Sequence, residues 1–199
     1  MLLAFYKPFG ILSQFTSDAA QNRTLAEFGF PPNVYPVGRL DADSEGFLLL
    51  SDEARIVKYL LEPKYAHPRR YWVQVEGIPT EQDVARLSGG VRVQDYTTRP
   101  CKAWHLAEQE TERLPERLPP IRVRKNIPAS WIALEISEGK NRQVRRMTAA
   151  CGFPTLRLVR VQIGALFLPL SDENSKLRCG VWRELSEEER NLVLGMMSK

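Results

Sequence analysis

The chain has 199 residues, 43% hydrophobic and 26% charged, with a formal net charge of +4, the balance of an ordinary soluble globular protein. That length suits one large domain or two small ones packed closely, and is enough to bury a core. No run of about 18 apolar residues occurs, which excludes a transmembrane helix.

In chain order, LLAFY (2–6) reads as a first strand. Lys7 and Pro8 interrupt it and no small-residue cleavage site follows, so it is not read as a signal peptide. The polar, Pro/Gly-punctuated stretch from Lys7 to Gly38 has room for one helical turn, Thr24 to Phe28. GRLDADSEG (38–46) then places Asp41, Asp43 and Glu45 at alternate positions behind Arg39. Such carboxylates either hold a divalent metal together, or one does chemistry while the others shape a turn. Counted from Asp41, the spacing approaches a calcium loop, with Gly46 sixth and Asp52 twelfth. The flanks disagree, since Pro36, Gly38 and the strand-like FLLLS (47–51) replace the helices such a loop needs. A two-metal nuclease would need further ligands, and His67 and His105 are isolated. HExxH, CxxC, Walker A, GxGxxG and GxSxG patterns are absent.

Asp52 to Leu61 reads as an amphipathic helix with Pro63 beyond its end. YWVQVEG (71–77) alternates as a half-buried strand, and Thr80 to Leu87 reads as a short helix opening on a Thr cap. VRVQD (91–95) and CKAWHLA (101–107) are further strands. Glu108 to Pro128 is charged and proline-rich: a solvated loop or, through Arg122, Arg124 and Lys125, a grip on RNA. WIALEIS (131–137) is a strand, and KNRQVRRMTAAC (140–151) a helix closed by Gly152. Leu156 to Ile163 is a strand and Ser186 to Met196 a terminal helix. Elements mix without strict alternation, which predicts α+β rather than a doubly wound sheet. Cys101, Cys151 and Cys179 share no metal-type spacing and read as reduced thiols of a cytosolic protein.

From Gly139 to Arg160 the chain carries Lys140, Arg142, Arg145, Arg146, Arg157 and Arg160 with no acid, so the remainder is net negative. Such a concentration points to a polyanion, nucleic acid first. Arg142, Arg145 and Arg146 fall on one helical face, opposite Val144, Met147, Thr148 and Cys151. Without acids the three arginines repel one another, and arriving anions relieve that repulsion.

GRLDADSEGFLLLSD (38–52), RRYWVQVEG (69–77), EGKNRQVRRM (138–147) and LRLVRVQIG (156–164), in that order, resemble the signature segments of the RsuA-type ribosomal RNA pseudouridine synthases. Absence of a leading S4-type domain and the PPIRVRKNIPASW segment (119–131) look most like the short RluE branch, which acts on large-subunit rRNA. The resemblance implies a pseudouridine synthase fold: a bent, mixed, largely antiparallel sheet in two subdomains, one catalytic domain over 1–199, with a central cleft. It implies isomerisation of a uridine in 23S rRNA without metal or organic cofactor. Asp41 matches the catalytic aspartate, Tyr71 the tyrosine that stacks on the target base and serves the final deprotonation, and Arg145 the basic partner of the aspartate. Leu158 matches the hydrophobic residue beside the pocket, and Arg39 an arginine holding RNA around the flipped nucleotide. Lys140, Asn141, Arg142, Arg146, Arg157 and Arg160 are the remaining candidate RNA contacts. A cytoplasmic monomer with no membrane partner is expected. Two rivals stay open: an idle RNA-binding or ribosome-assembly factor on the same fold, and a metal-dependent nuclease on the three carboxylates.

Overall fold

The computed structural model describes residues 1–17, 19–121, 124, 126–170 and 177–197. Its first elements are β1 (Leu2–Lys7), β2 (Ile11–Leu12), β3 (Arg23–Thr24), a 3-10 turn at Leu25–Phe28, β4 (Tyr35–Pro36), β5 (Glu45–Ser51) and α1 (Ala54–Leu61). A second 3-10 turn at Pro63–Tyr65 precedes β6 (Arg69–Glu76), α2 (Glu81–Ser88), β7 (Arg92–Val93), β8 (Tyr96–Thr97), β9 (Lys102–His105) and α3 (Glu108–Thr111). Then come β10 (Ala129–Ile136), α4 (Gln143–Ala150), β11 (Thr155–Ile163), β12 (Leu166–Phe167), β13 (Trp182–Glu184) and α5 (Glu187–Met197). The fold is α+β, and the chain divides into two compact units, Met1–His67 with Arg160–Lys199, and Pro68–Val159.

In the first unit β1 lies between β13 and β5, antiparallel to both, with Leu3 opposite Leu50, Phe5 opposite Leu48 and Lys7 opposite Gly46. Leu3, Phe5, Leu48 and Leu50 share one face and pack on Ile11, Leu25 and Val34. Burying each such side chain contributes about 1.5–3 kcal/mol. Phe28, Phe30 and Trp182 close over this core; Phe5 meets Phe28 edge-on at 4.9 Å, and Phe30 stacks on Trp182 at 5.7 Å. Thr24 caps the first 3-10 turn in a reciprocal box with Glu27. The helix expected from Asp52 starts at Ala54 instead. Glu53 N–H is taken by Ser51 Oγ at 3.0 Å, and Asp52 turns to the Met1 amine at 2.5 Å.

In the second unit β6 pairs antiparallel with β10, and β10 with β9. Tyr71 and Val73 sit opposite Leu134 and Ile132 on the buried face. Arg70, Glu135 and Lys102 align across the other face, with Arg70 Nη2 at 2.7 Å and Lys102 Nζ at 3.0 Å from Glu135. Both cations hold the Glu135 carboxyl below its ordinary pKa although burial opposes them. Thr80 and Asp83 cap α2 reciprocally. The single strand read over 91–95 is a hairpin, β7 to β8, turned by Gln94 at φ +47 and by Asp95. The segment read as a loop from Glu108 opens with α3. Within it Arg122 and Lys125 lie outside the described residues, and Arg124 is 3.4 Å from Glu76.

Candidate active site

Asp41 belongs to the first unit and its backbone is pinned on both sides. Before it, Ser13 Oγ accepts from Leu40 N–H at 3.0 Å and donates to Leu40 carbonyl at 2.8 Å. After it, the Ala42 carbonyl accepts from Gly10 N–H at 2.7 Å, while Ser44 N–H closes a turn onto Asp41 carbonyl at 3.0 Å. Gly46 follows at φ +103, a conformation an L side chain rarely adopts. The carboxylate is thus presented from a fixed turn feeding a buried strand. Asp41 and Asp43 are half-buried, Arg39 is exposed, and Glu45 is 2% exposed.

Beneath this turn lies Lys7, 0% exposed, a residue the sequence reading passed over as a strand interruption. Its Nζ donates to the carbonyls of Ile11 at 2.7 Å, Pro8 at 2.9 Å and Ala42 at 3.4 Å. Burial pulls its pKa down to about 7, against the charges of Glu45, Asp43 and Asp41 and together with that of Arg160. The signal was in the pattern: Lys7 continues the period of Leu3 and Phe5 onto the core-facing side of β1. Among the described residues no three of His, Cys, Asp and Glu form a group able to hold a metal ion.

Tyr71, Arg145 and Leu158 belong to the second unit. Tyr71 stands at the start of the buried alternation of β6, and Leu158 is buried in β11. Arg145 is half-buried on α4, with Nη1 3.4 Å from Thr155 carbonyl. A 2.7 Å hydrogen bond between Thr148 and Thr155 hydroxyls ties α4 to the start of β11. Val144, Met147, Thr148 and Cys151 are buried, as their spacing predicts.

The helix read from Lys140 begins at Gln143. Lys140, Asn141 and Arg142 form a turn instead, exposed, with Arg142 at φ +50 as the residue before the helix. Left-handed backbone at a non-glycine residue is costly and must be held by its surroundings. Here Gln143 Oε1 accepts from Lys140 N–H at 2.9 Å, and its Nε2 donates to Glu138 at 2.6 Å. Glu138 also accepts from Arg99 N–H at 2.8 Å. Asn141 Oδ1 accepts from Arg146 Nη2 at 3.1 Å, and Lys140 Nζ lies 5.6 Å over the Tyr96 ring. Neither Glu138 nor Gln143 was singled out from the sequence; an acid-amide pair flanking a basic turn was the available signal.

Arg157 and Arg160, also expected as RNA contacts, are placed differently. They are 6% and 3% exposed, and each serves a carbonyl: Arg157 Nη2 that of Pro115 at 2.9 Å, Arg160 Nε that of Phe47 at 2.8 Å. Charge counting could not see that β11 is buried along its length from Arg157 to Ile163. Both therefore differ from the exposed basic residues of the 140–142 turn.

The family model described as RNA pseudouridylate synthase matches residues 1–150. The chain belongs to the RNA pseudouridylate synthase family. The synthase is 53% identical over 166 residues to ribosomal large subunit pseudouridine synthase E of Xanthomonas axonopodis pv. citri (strain 306), covering 82% of this chain and 86% of that one. It is 45% identical to the protein of the same name from Vibrio parahaemolyticus serotype O3:K6 (strain RIMD 2210633), covering 92% and 73%. Among solved structures, the crystal structure of a pseudouridylate synthase superposes with a TM-score of 0.76 at 25% identity, over 96% of this chain and 73% of that one. Asp41, Tyr71 and Arg145 of the synthase fall inside the matched span, whereas Leu158 lies beyond it.

Proposed function

We propose that the synthase converts one uridine of 23S ribosomal RNA to pseudouridine, with Asp41 as the working carboxylate. The relatives named for the large ribosomal subunit support that substrate. The observation that supports the assignment of Asp41 is its backbone, clamped at Leu40 and Ala42 in a fixed turn. Preorganisation of this kind is what a reacting group needs.

In this reading the uridine leaves its stack and enters a pocket walled by Tyr71 and Leu158. The ionised Asp41 attacks, either on the sugar or on a sugar proton, as the N-glycosidic bond breaks. The uracil turns, a C–C bond forms from C5, and Tyr71 assists removal of the C5 proton, which leaves an isomer of the starting nucleotide. Arg145 takes the basic role that the resemblance gives it. Arg39, Lys140, Asn141, Arg142 and Arg146 position the RNA through its backbone without reading its sequence. No metal or organic cofactor takes part. The synthase works as one catalytic domain, as a monomer in the cytoplasm.

The test uses large-subunit rRNA transcribed in vitro, incubated with the protein in EDTA and mapped by carbodiimide-dependent reverse-transcription stops. One new stop, absent with Asp41→Ala while RNA affinity persists, is expected. Turnover by Asp41→Ala would sink the assignment of Asp41. RNA binding without any stop would favour an idle binding factor, and cleavage only in magnesium a nuclease.

A further inference from the structure

The β7–β8 hairpin is a stiff arm that ends in an aromatic ring. Val91 and Val93 are buried, and Thr98 Oγ1 accepts from Val91 N–H at 2.9 Å. A Cβ at Gly90 would stand 2.6 Å from the Thr98 carbonyl oxygen, so the base of the arm is closed tightly. β7 packs on α4, and Glu138 accepts from Arg99 N–H at 2.8 Å just beyond β8, which fastens the hairpin to the basic turn. Tyr96 lies opposite Val93, half-buried, with the Lys140 ammonium 5.6 Å over its ring centroid. Such a pair on an exposed surface is weak. Nor does the polar end hold the ring in its seat: the Tyr96 hydroxyl oxygen is buried and meets no hydrogen-bond partner among the described residues. Burial, and then the charge of Glu138, raise the pKa of that hydroxyl while Arg146 opposes them, so the ring is neutral when RNA arrives.

We propose that Tyr96 is a stacking platform for an unpaired RNA base other than the target, covered in the free protein by Lys140, which moves from the ring to a phosphate of the bound strand. The inference rests on the reading of the protein as an enzyme of RNA. The target uridine is assigned to Tyr71, and Tyr96 takes a second base. Extruding one nucleotide leaves neighbouring or opposing bases without a stacking partner. An aromatic face accepts any base, and it binds best beside cations that hold the backbone. Both parts are present. Lys140 lies over the ring, Asn141 and Arg142 follow it on the surface, and the charge of Arg146 reaches the Tyr96 hydroxyl. A phosphate oxygen attracts an ammonium more strongly than a ring face does. The strand that draws Lys140 away therefore uncovers the platform in the same step.

Two measurements on the whole protein test it. The probes are a short unstructured RNA strand of mixed sequence and a ribose-phosphate chain of the same length without bases. Tyr96→Ala is expected to weaken binding of the RNA strand by roughly tenfold and to bind the base-free chain as the wild type does. Tyr96→Phe keeps the ring face and drops the hydroxyl, and is expected to match the wild type on both. Lys140→Met is expected to reduce the slope of log affinity against log salt by about 0.7 on both. With 3-fluorotyrosine in place of tyrosine, the signal missing from Tyr96→Phe belongs to Tyr96. That signal is expected to move upfield with the RNA strand, under the ring current of a stacked base, and not with the base-free chain. Equal weakening of both chains by Tyr96→Ala would mean that the ring only props the turn. A loss in Tyr96→Phe as large as in Tyr96→Ala would make the hydroxyl the contact. Either result overturns the proposal, as does a Tyr96 signal unmoved by the RNA strand. If Tyr96→Ala does not fold, Tyr96→Leu takes its place and the wild-type fluorine signal decides. Stacking on Tyr96 with no pseudouridine formed in large-subunit rRNA would defeat the uridine-isomerising reading and leave the platform standing.

Discussion

Single positively charged residues divide here by the company they keep. Arg146 is half-buried, tied to an exposed Asn141, and stands beside a turn carrying Lys140 and Arg142. Arg157 is buried against a carbonyl. The two therefore part under mutation. Arg146→Ala is expected to weaken RNA binding and reduce the slope of log affinity against log salt by about 1. Arg157→Ala is expected to leave that slope unchanged and to cost about 1–3 kcal/mol of stability, because Pro115 carbonyl loses its donor. Titrating with RNA at several salt concentrations, and melting both variants, reads the difference; an equal slope change in both would refute it. The sequence motifs drew attention to Asp41, Tyr71 and Arg145 because each sits in a run of characteristic residues. Lys7 escaped notice because Lys-Pro reads locally as the end of a strand, and its contact with Ala42 comes from a turn distant in sequence.

Elements were legible where their signals are local. Apolar runs marked β1 and β5, alternation marked β6, and the caps at Thr24 and Thr80 lie where Ser/Thr-initiated turns place them. The Thr80 cap has a measurable share in α2: its hydroxyl accepts from Asp83 N–H while the Asp83 carboxylate accepts from Thr80 N–H. Thr80→Ala is expected to cost about 1 kcal/mol in chemical denaturation with the slope of unfolding unchanged. An unaltered midpoint would show that α2 is held by packing alone. Elements were misread where the signal is non-local. The three arginines at helical spacing suggested a helix from Lys140, yet the contacts made by Gln143 and Glu138 hold the first residues in a turn. Likewise VRVQD lacks glycine, so nothing nearby announced the left-handed Gln94 that makes a hairpin of it.

At the scale of the whole molecule, Glu53 and Lys7 act at opposite ends of the pH dependence of stability. Arg190 grips Glu53 through both oxygens at 2.6 and 2.7 Å and holds its pKa down at about 2. That support is present above the ordinary carboxylate pKa and is lost as pH falls toward about 2. Solvent reaches the pair, so its worth is roughly 1 kcal/mol at most. Lys7 works at the other end. Between about 7 and its ordinary value of 10.5, the unfolded chain binds a proton that the folded chain does not. The Lys7 contribution therefore makes folding more favourable as pH rises through that window. Urea midpoints of wild type and Lys7→Met at about pH 6.5 and about pH 9 are expected to diverge in favour of the wild type at the higher value. A constant difference would mean that Lys7 keeps its proton throughout.

The pairing of β13 with β1 has a further consequence during translation. Residues 68–159 are contiguous and leave the ribosome as one piece, whereas the first unit draws on both ends of the chain. At elongation rates of about 5–20 residues per second, roughly ten to forty seconds separate the emergence of β1 from that of its partner. Once β5 has emerged, the strand that carries Lys7 has β5 along one side and an open apolar edge along the other, the very edge at which a nascent chain is most prone to pair with a stranger.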